Sequence, residues 1–449
     1  MRLGALFLPF LLLATALAGQ ELAVHGRPRP GDSLWIEIVA SGGRSVKLAY
    51  DFQTGNGTWN GVPLGLKKGR RFGIVGLGAT DARGWLGKPV PVPAKAKLDG
   101  KTIFLQALVA DPSATGGWAT TAVEPVPLAI GPDLAPVNDY VYQLQGNPAT
   151  NDLVDPAALA ATQYDLIVTD YSKDGTEAQR FTSAEVDLMR NGPVERKIVL
   201  AYLSIGEAED FRWYWPFVPP QILAGSNPNY PGSFKVRYWM PEWKEIVLTG
   251  NPAVGEGYLD RIIDQGFDGV FLDIVDAFEF FGPVAEGGVG EKDDAALAMM
   301  EFLLEIAHHA RVERGRPDFL VVPQNGLTIY TEGFYPAGTL RSFDPATPAK
   351  MAARQLDRFS ATIDFVATED VFFRGNKAEN NPFDPDRFIL GLIGLLQSRG
   401  RPVFSTEYVT EPGKLDRLYD QAAPAAGVVP LATVRPLDRI PANPGHPPD

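Results

Sequence analysis

From Val137 onward, short apolar runs alternate with helix-like segments, and this alternation limits the fold more than any other feature of the chain. A short apolar run flanked by glycine or polar residues reads as a strand buried on both faces. Such strands separated by helices predict a parallel sheet, because each parallel pairing needs a crossover connection. Eight runs fit: Val141–Leu144, Asp165–Thr169, Lys197–Ile205, Asp268–Leu272, Phe319–Val322, Ile363–Thr368, Pro402–Ser405 and Gly427–Leu431. Helical patterns fall between them at Pro156–Thr162, Ser183–Arg190, Tyr258–Gln265, Asp294–Arg314, Ala349–Phe359 and Pro385–Ser398. Asp155 precedes Pro156 as an N-cap, with proline at the first helical position. Eight β/α units in about 300 residues predict an α/β fold, a (β/α)8 TIM barrel. The wide gaps after the third and fourth strands predict long loops on one face.

Residues 19–132 have a different texture, rich in Gly, Pro, Val and Thr. Alternating runs at Leu34–Val39, Val46–Tyr50, Arg71–Val75 and Thr102–Val109 are separated by turn signals. They predict a small all-β, sandwich-like domain ahead of the barrel. Pro125, Pro127, Pro132 and Pro136 mark the linker. The barrel is expected over 133–440, and the Pro-rich tail 441–449 is expected to be disordered.

At the N-terminus, Arg2 precedes an apolar run, Leu3 to Leu17, closed by Ala16-Leu17-Ala18. That is the pattern of a signal peptide, residues 1–18, which implies export, into the periplasm, the cell envelope or the medium. A membrane anchor is the alternative, disfavoured by the short span. No later segment is apolar enough to span a bilayer, so no stable span is expected after cleavage. The net charge of −13 argues against nucleic acid as a partner. The composition says nothing about oligomeric state.

The chain has no cysteine and four histidines, His25, His308, His309 and His446. Thiolate nucleophiles, Cys-type metal sites and a Ser-His-Asp triad therefore have almost no material. Carboxylates, in contrast, recur at the ends of the predicted strands: Asp170, Glu207 and Glu209, Asp273, Glu369 and Asp370, and Glu407. Barrel enzymes place their chemistry at that rim. Two carboxyls flanking a glycosidic bond are the simplest reaction such groups support, and it needs no metal and no cofactor. Aromatic residues crowd the neighbouring loops, with Trp213, Tyr214 and Trp215 after Glu209 and Tyr230, Phe234, Tyr238, Trp239 and Trp243 beyond. These rings either stack on sugar or form a small core beneath a long loop.

Three motifs carry a family resemblance: Tyr202-Leu203-Ser204-Ile205-Gly206-Glu207-Ala208-Glu209 with Arg212-Trp213-Tyr214-Trp215, then Gly266-Phe267-Asp268-Gly269-Val270-Phe271-Leu272-Asp273, then Pro323-Gln324-Asn325-Gly326. In order and spacing the region from about 138 to 440 resembles the MJ1477-like branch of glycoside hydrolase family 114. That family's characterised relatives are endo-α-1,4-polygalactosaminidases. The resemblance implies a secreted glycosidase with a polysaccharide or oligosaccharide substrate and a catalytic pair at Asp273 and Glu369. By analogy Asp273 would be the nucleophile and Glu369 the acid/base. Asp170, Tyr202, Glu207, Asn325, Tyr238 and Trp239 are the candidate substrate-binding residues. The galactosaminidases carry a Glu-Pro-Asp-Asn run where this chain has Phe271-Leu272-Asp273-Ile274.

Each candidate has a structural alternative. Asp273 could cap the following helix, Glu369 could sit in a rim salt bridge, and Glu207 could pair with Arg212. Asp170 could orient Tyr202, and Asn325 could be a turn residue before Gly326. Two other functions compete: a catalytically silent carbohydrate- or peptidoglycan-binding barrel, and a metal-dependent hydrolase using the acids as ligands.

Overall fold

The computed structural model describes residues 20–26, 33–128 except 83, 94 and 99, 137–284, 287–331 and 358–448. The predicted leader, the linker prolines Pro132 and Pro136, and all but the last two residues of the predicted helix Ala349–Phe359 lie outside them. Two compact units divide after Leu128.

In the first unit the strands form antiparallel sheets. Glu21–His25, Ser33–Val39 and Trp85–Pro91 make one, and Thr102–Ala110, Ser45–Asp51 and Gly73–Ala79 are the spine of another. Leu34, Ile36 and Ile38 of one sheet share an apolar core with Val46, Leu48 and Leu105 of the other.

The second unit is α/β. All eight expected strands form, with ends shifted by no more than three residues. They are β1 (Tyr140–Tyr142), β2 (Leu166–Thr169), β3 (Ile198–Ser204), β4 (Gly269–Asp273), β5 (Leu320–Pro323), β6 (Val366–Glu369), β7 (Val403–Glu407) and β8 (Val429–Ala432). Strands β1 to β5 pair in sequence order, all parallel, and so do β6 to β8. A parallel bridge between Gln324 and Ala367 spans β5 and β6.

Side chains alternate along each strand, so the eight strands sort their residues into two cores. One face gathers Tyr142, Leu200, Phe271, Val322, Phe404 and Leu431 with their neighbours into a single cluster. Polar links cross it: Tyr140 and Thr406 hydroxyls hydrogen-bond at 2.7 Å, and the Tyr142 hydroxyl donates to Gln324 Oε1 at 3.1 Å. The other face, with Val141, Val199, Val270 and Val321, packs on the helices.

The helices form where local signals agree. Pro156–Ala160 starts with Asp155 accepting from the Ala157 N–H at 2.8 Å. Ser183–Arg190 carries a full capping box between Thr182 and Glu185. Tyr258–Gln265 ends at Gly266, whose φ of +91° only glycine adopts freely. The expected long helix Asp294–Arg314 is an α-helix only over Ala295–His308 and then widens into a π turn, His309–Glu313. In that turn the His309 ring bonds Asp260 at 2.6 Å and Glu313 at 2.7 Å. No described helix is long and apolar enough to cross a membrane.

Two acids pin the N-terminal ends of the strands. Asp268 accepts the Val199 N–H at 2.9 Å and faces Arg190; Asp364 accepts the Val321 N–H at 2.8 Å and faces Arg311 at 2.7 Å. Each carboxylate thus ties the start of one strand to its neighbour, far from the rim where chemistry is expected. In the tail, two residues reach back to the second unit. Asn443 donates to Tyr419 Oη and Ala432 O, and the His446 ring stacks on Tyr419 at 4.9 Å.

Candidate active site

Strands β4 and β6 both end in an acid at the C-terminal rim, Asp273 and Glu369. Each is held by a tyrosine from an adjacent strand. Tyr202 on β3 donates its hydroxyl to Asp273 Oδ2 at 3.0 Å. Tyr408, just past β7, donates to Glu369 Oε1. Asn325, beyond β5, donates from Nδ2 to Glu369 Oε2 at 2.8 Å and accepts the Glu369 N–H at 3.0 Å. Both oxygens of Glu369 therefore receive a donor.

Burial pushes the Asp273 carboxyl up from 3.8 to about 8, and the negative charge of Glu369 adds to the rise. Tyr202 opposes it by donating to the charged form. Asp276 is likewise pushed up to about 6, first by burial and then by Glu279. At neutral pH the rim holds fewer negative charges than its acids suggest, because one proton settles among the crowded carboxyls.

The backbone at these strand ends is unusual. Ile274, directly after Asp273, has φ +57°; Asp370, directly after Glu369, has φ +53°; Asn325 has φ +60°. Asparagine tolerates this region, but for a β-branched isoleucine it is strained. Gly206 makes room for the Ile274 turn. A Cβ there would lie 2.2 Å from the Ile274 carbonyl oxygen.

A cleft of about 320 Å³ opens beside Glu369, lined by Asp276, Glu279, Asn325, Thr328, Glu369 and Asp370 among others. Among the described residues, five carboxylates line it against one cation, Arg374. Arg374 is already paired with Asp386 at 2.8 Å and Asp384 at 3.1 Å. Asp273 is not among the lining residues, so the opening lies on the Glu369 side of the pair.

The structure moves several predicted ligands away from this cleft. Asp170 is buried and takes both ends of the Arg212 guanidinium, at 2.9 and 2.7 Å, so its carboxylate is committed to an internal ion pair rather than to sugar hydroxyls or to Tyr202. Glu209, not Glu207, is the other partner of Arg212, at 2.7 Å. Glu207 is buried at the start of a short strand, Glu207–Glu209, that pairs with Ser233–Val236, and there Asn227 donates to it at 3.0 Å and Lys235 at 3.2 Å. Tyr238 is fully buried and donates to Ala295 O at 2.8 Å, so its hydroxyl is engaged inside the fold. Trp239 packs edge-on against Phe281 at 4.9 Å, with Lys292 over its ring. Most of the aromatic loop is thus a small core. Trp243 bonds Ile205 O at 2.8 Å, and the Tyr214 hydroxyl accepts the Glu209 N–H at 3.1 Å.

Two residues that sequence reasoning left unassigned belong at the site. Tyr408 contacts Glu369 directly; its signal was its place at the end of the seventh strand. Tyr230 remains 58% exposed while its phenol feels Glu369 and Asp273, which raise it after burial does. Nothing in the sequence separates Tyr230 from the ring-forming aromatics around it. Glu407, fully buried, accepts from the Val371 and Phe373 N–H groups at 2.9 and 3.1 Å and so braces the loop after Glu369.

The model of glycoside-hydrolase family GH114 matches residues 142–441. The chain belongs to that family. The match takes in the last residue of β1, all of strands β2 to β8 and both acids of the pair. Among curated GH114-like relatives, an uncharacterised Thermotoga maritima protein is 40% identical over 43% of this chain and 54% of its own length. The uncharacterised protein MJ1477 of Methanocaldococcus jannaschii is 41% identical over 42% of this chain and 49% of its own. The chain thus spans about half the length of these two. An uncharacterised Deinococcus radiodurans protein is 29% identical over 74% of this chain and 92% of that one. Among solved structures, Aspergillus fumigatus Ega3 in complex with galactosamine aligns over 67% of this chain and 93% of its own, at 14% identity and a TM-score of 0.42.

Proposed function

We propose that the protein is a secreted glycoside hydrolase that cleaves α-linked amino-sugar polysaccharide, with galactosaminide polymers as the first substrate to test. The observation that carries this reading is the Asp273–Glu369 pair, each acid ending a parallel strand and each bonded to its own tyrosine hydroxyl. Family GH114 membership supports the reaction class.

The eight strands are read as a closed (β/α)8 barrel. Their common interior and the contacts from β1 to β7 and β5 to β6 support closure. Residues 19–132 are read as a β-sandwich accessory domain and residues 1–18 as a cleaved signal peptide.

The roles in the pair are reversed from those implied by family analogy. Asp273 carries the proton in the free protein, because burial and Glu369 disfavour its charged form. It delivers that proton to the glycosidic oxygen as the bond to the anomeric carbon breaks. Glu369, its two oxygens held by Tyr408 and Asn325, meets the positive charge developing at that carbon. It does so by bonding to the carbon or by taking a proton from an attacking water. Galactosamine units carry ammonium groups, which suit a cleft of carboxylates whose arginine is already paired.

The test is incubation with α-1,4-linked galactosamine polymers, their N-acetylated forms and uronic-acid polymers, with product masses read by mass spectrometry. Cleavage of the cationic polymer that is lost in both Asp273→Asn and Glu369→Gln is the expected result. Binding without cleavage by the wild type would instead make this a silent carbohydrate-binding barrel. Activity abolished by EDTA would favour a metal-dependent hydrolase.

A further inference from the structure

Arg435, which follows β8, contacts four parts of the structure around Glu369. Its backbone N–H donates to Glu379 Oε1 at 3.1 Å, and its Nε donates to Ala378 O at 3.1 Å. Its Nη2 donates to Asp370 Oδ2 at 2.7 Å. Its guanidinium carbon lies 3.6 Å from the centre of the Tyr408 ring. Two of these contacts converge on one acid. Tyr408 is the residue that donates to Glu369 Oε1, and Asp370 is the left-handed residue directly after Glu369.

We infer that Arg435 is the positioning residue for Glu369, acting through the Tyr408 ring and the Asp370 turn without touching the reacting atoms. This rests on the reading of Glu369 as a member of the catalytic pair. Two physical effects support it. A guanidinium over the face of a phenol ring is attracted by the ring's negative face, which fixes the ring and strengthens its hydroxyl as a donor. The charge-assisted bond to Asp370 holds a backbone conformation that is costly on its own, and so sets the direction in which β6 presents Glu369. A lysine could keep the charge but not the planar stack and the fork together. The link also joins the segment after β8 to the loop after β6, two elements with no strand pairing between them.

The experiment compares Arg435→Ala, Arg435→Lys and Glu369→Gln in the full chain on whichever polymer the wild type cleaves. If Arg435 positions Glu369, Arg435→Ala lowers kcat by roughly 10–100-fold, the loss expected when a reacting group is misplaced by about an ångström. KM stays within about twofold, since the arginine binds no substrate. Added guanidinium ion restores part of kcat in Arg435→Ala and none in Glu369→Gln. Arg435→Lys recovers less than the full rate. A wild-type kcat in Arg435→Ala, or a rate loss that guanidinium leaves untouched while folding is intact by circular dichroism, overturns the inference. Full activity in Glu369→Gln overturns both the inference and the reading of the pair. Loss in Glu369→Gln with a normal Arg435→Ala overturns only the inference.

Discussion

Replacing Asp273 by asparagine should inactivate the protein and stabilise it at the same time, with the stabilisation confined to neutral and alkaline pH. The carboxyl rises from 3.8 in the unfolded chain to about 8 in the fold. A group whose folded value is raised keeps the native state more protonated than the unfolded one. Its contribution to stability is therefore full below pH 4 and is lost as pH climbs through 8. Each pH unit between those limits removes about 1.4 kcal/mol, so the wild type gives up roughly 4 kcal/mol by pH 7 in the simplest account. The side chain is partly solvated, which reduces the figure to about 2 kcal/mol. Asparagine is isosteric and still accepts from Tyr202, but it never ionises. In a unit of this size 1 kcal/mol moves Tm by roughly 2 °C. Melting curves for both proteins from pH 4 to pH 9 should coincide near pH 4 and separate to about 4 °C, variant higher, at pH 8. Hydrolysis in the variant should fall by roughly 10²- to 10⁴-fold, as for loss of a general acid. If the two melting curves stay parallel across this range, Asp273 titrates as an ordinary aspartate. The proton would then not rest on it, and the assignment of Asp273 as the acid fails.

Three further outcomes follow from the same geometry. Tyr202→Phe removes the donor that favours ionised Asp273, so the alkaline limb of kcat/KM, read from a pH profile, should move to higher pH and kcat should fall about tenfold. Asp170→Asn leaves Arg212 buried without its main counter-charge, and should cost about 3–5 kcal/mol by urea unfolding. A raised KM with unchanged stability would instead return Asp170 to the substrate. Gly206→Ala would drive a methyl group into the Ile274 carbonyl oxygen, which should lower kcat by more than tenfold while melting changes by only a few degrees. Equal activity to wild type would show that the Ile274 turn does not aim Asp273.

The parallel strands were legible because burial on both faces leaves uninterrupted apolar runs, and Val270-Phe271-Leu272 or Leu320-Val321-Val322 admit few other readings. The acids at their ends could be found for the same reason, since the end of the run marks the rim. What could not be read was which polar residues turn inward to one another. Asp170, Glu207 and Glu209 share composition and spacing with true rim acids. Only the three-dimensional placement of Arg212, Asn227 and Lys235 shows that all three are bound internally. The aromatic loop failed in the same way. Tyr238 and Tyr230 lie eight residues apart, on either side of the short strand Ser233–Val236, yet one is fully buried and the other is the most exposed tyrosine near the pair. Periodicity has no purchase on an irregular loop, where each ring's direction is set by tertiary contacts.

The strained turns explain why the pair is held so firmly. Isoleucine is among the residues least suited to positive φ, and about 1–3 kcal/mol is the usual cost of such a conformation. A chain that keeps Ile274 there must be constrained on several sides. The Ala277 N–H bonds its carbonyl, Gly206 leaves that carbonyl space, and β3 pairs Ser204 with Asp273 to the last residue of the strand. On the other acid, Asp370 is held by Arg435, and the loop beyond it by buried Glu407. Both carboxyls are therefore fixed through the residue that follows them, by groups with no role in bonding to a sugar. Strain of this kind lowers stability and raises precision. It holds two strand ends at which burial and the charge of Glu369 push the Asp273 carboxyl up, while the backbone keeps the two acids from swinging apart to relieve the repulsion.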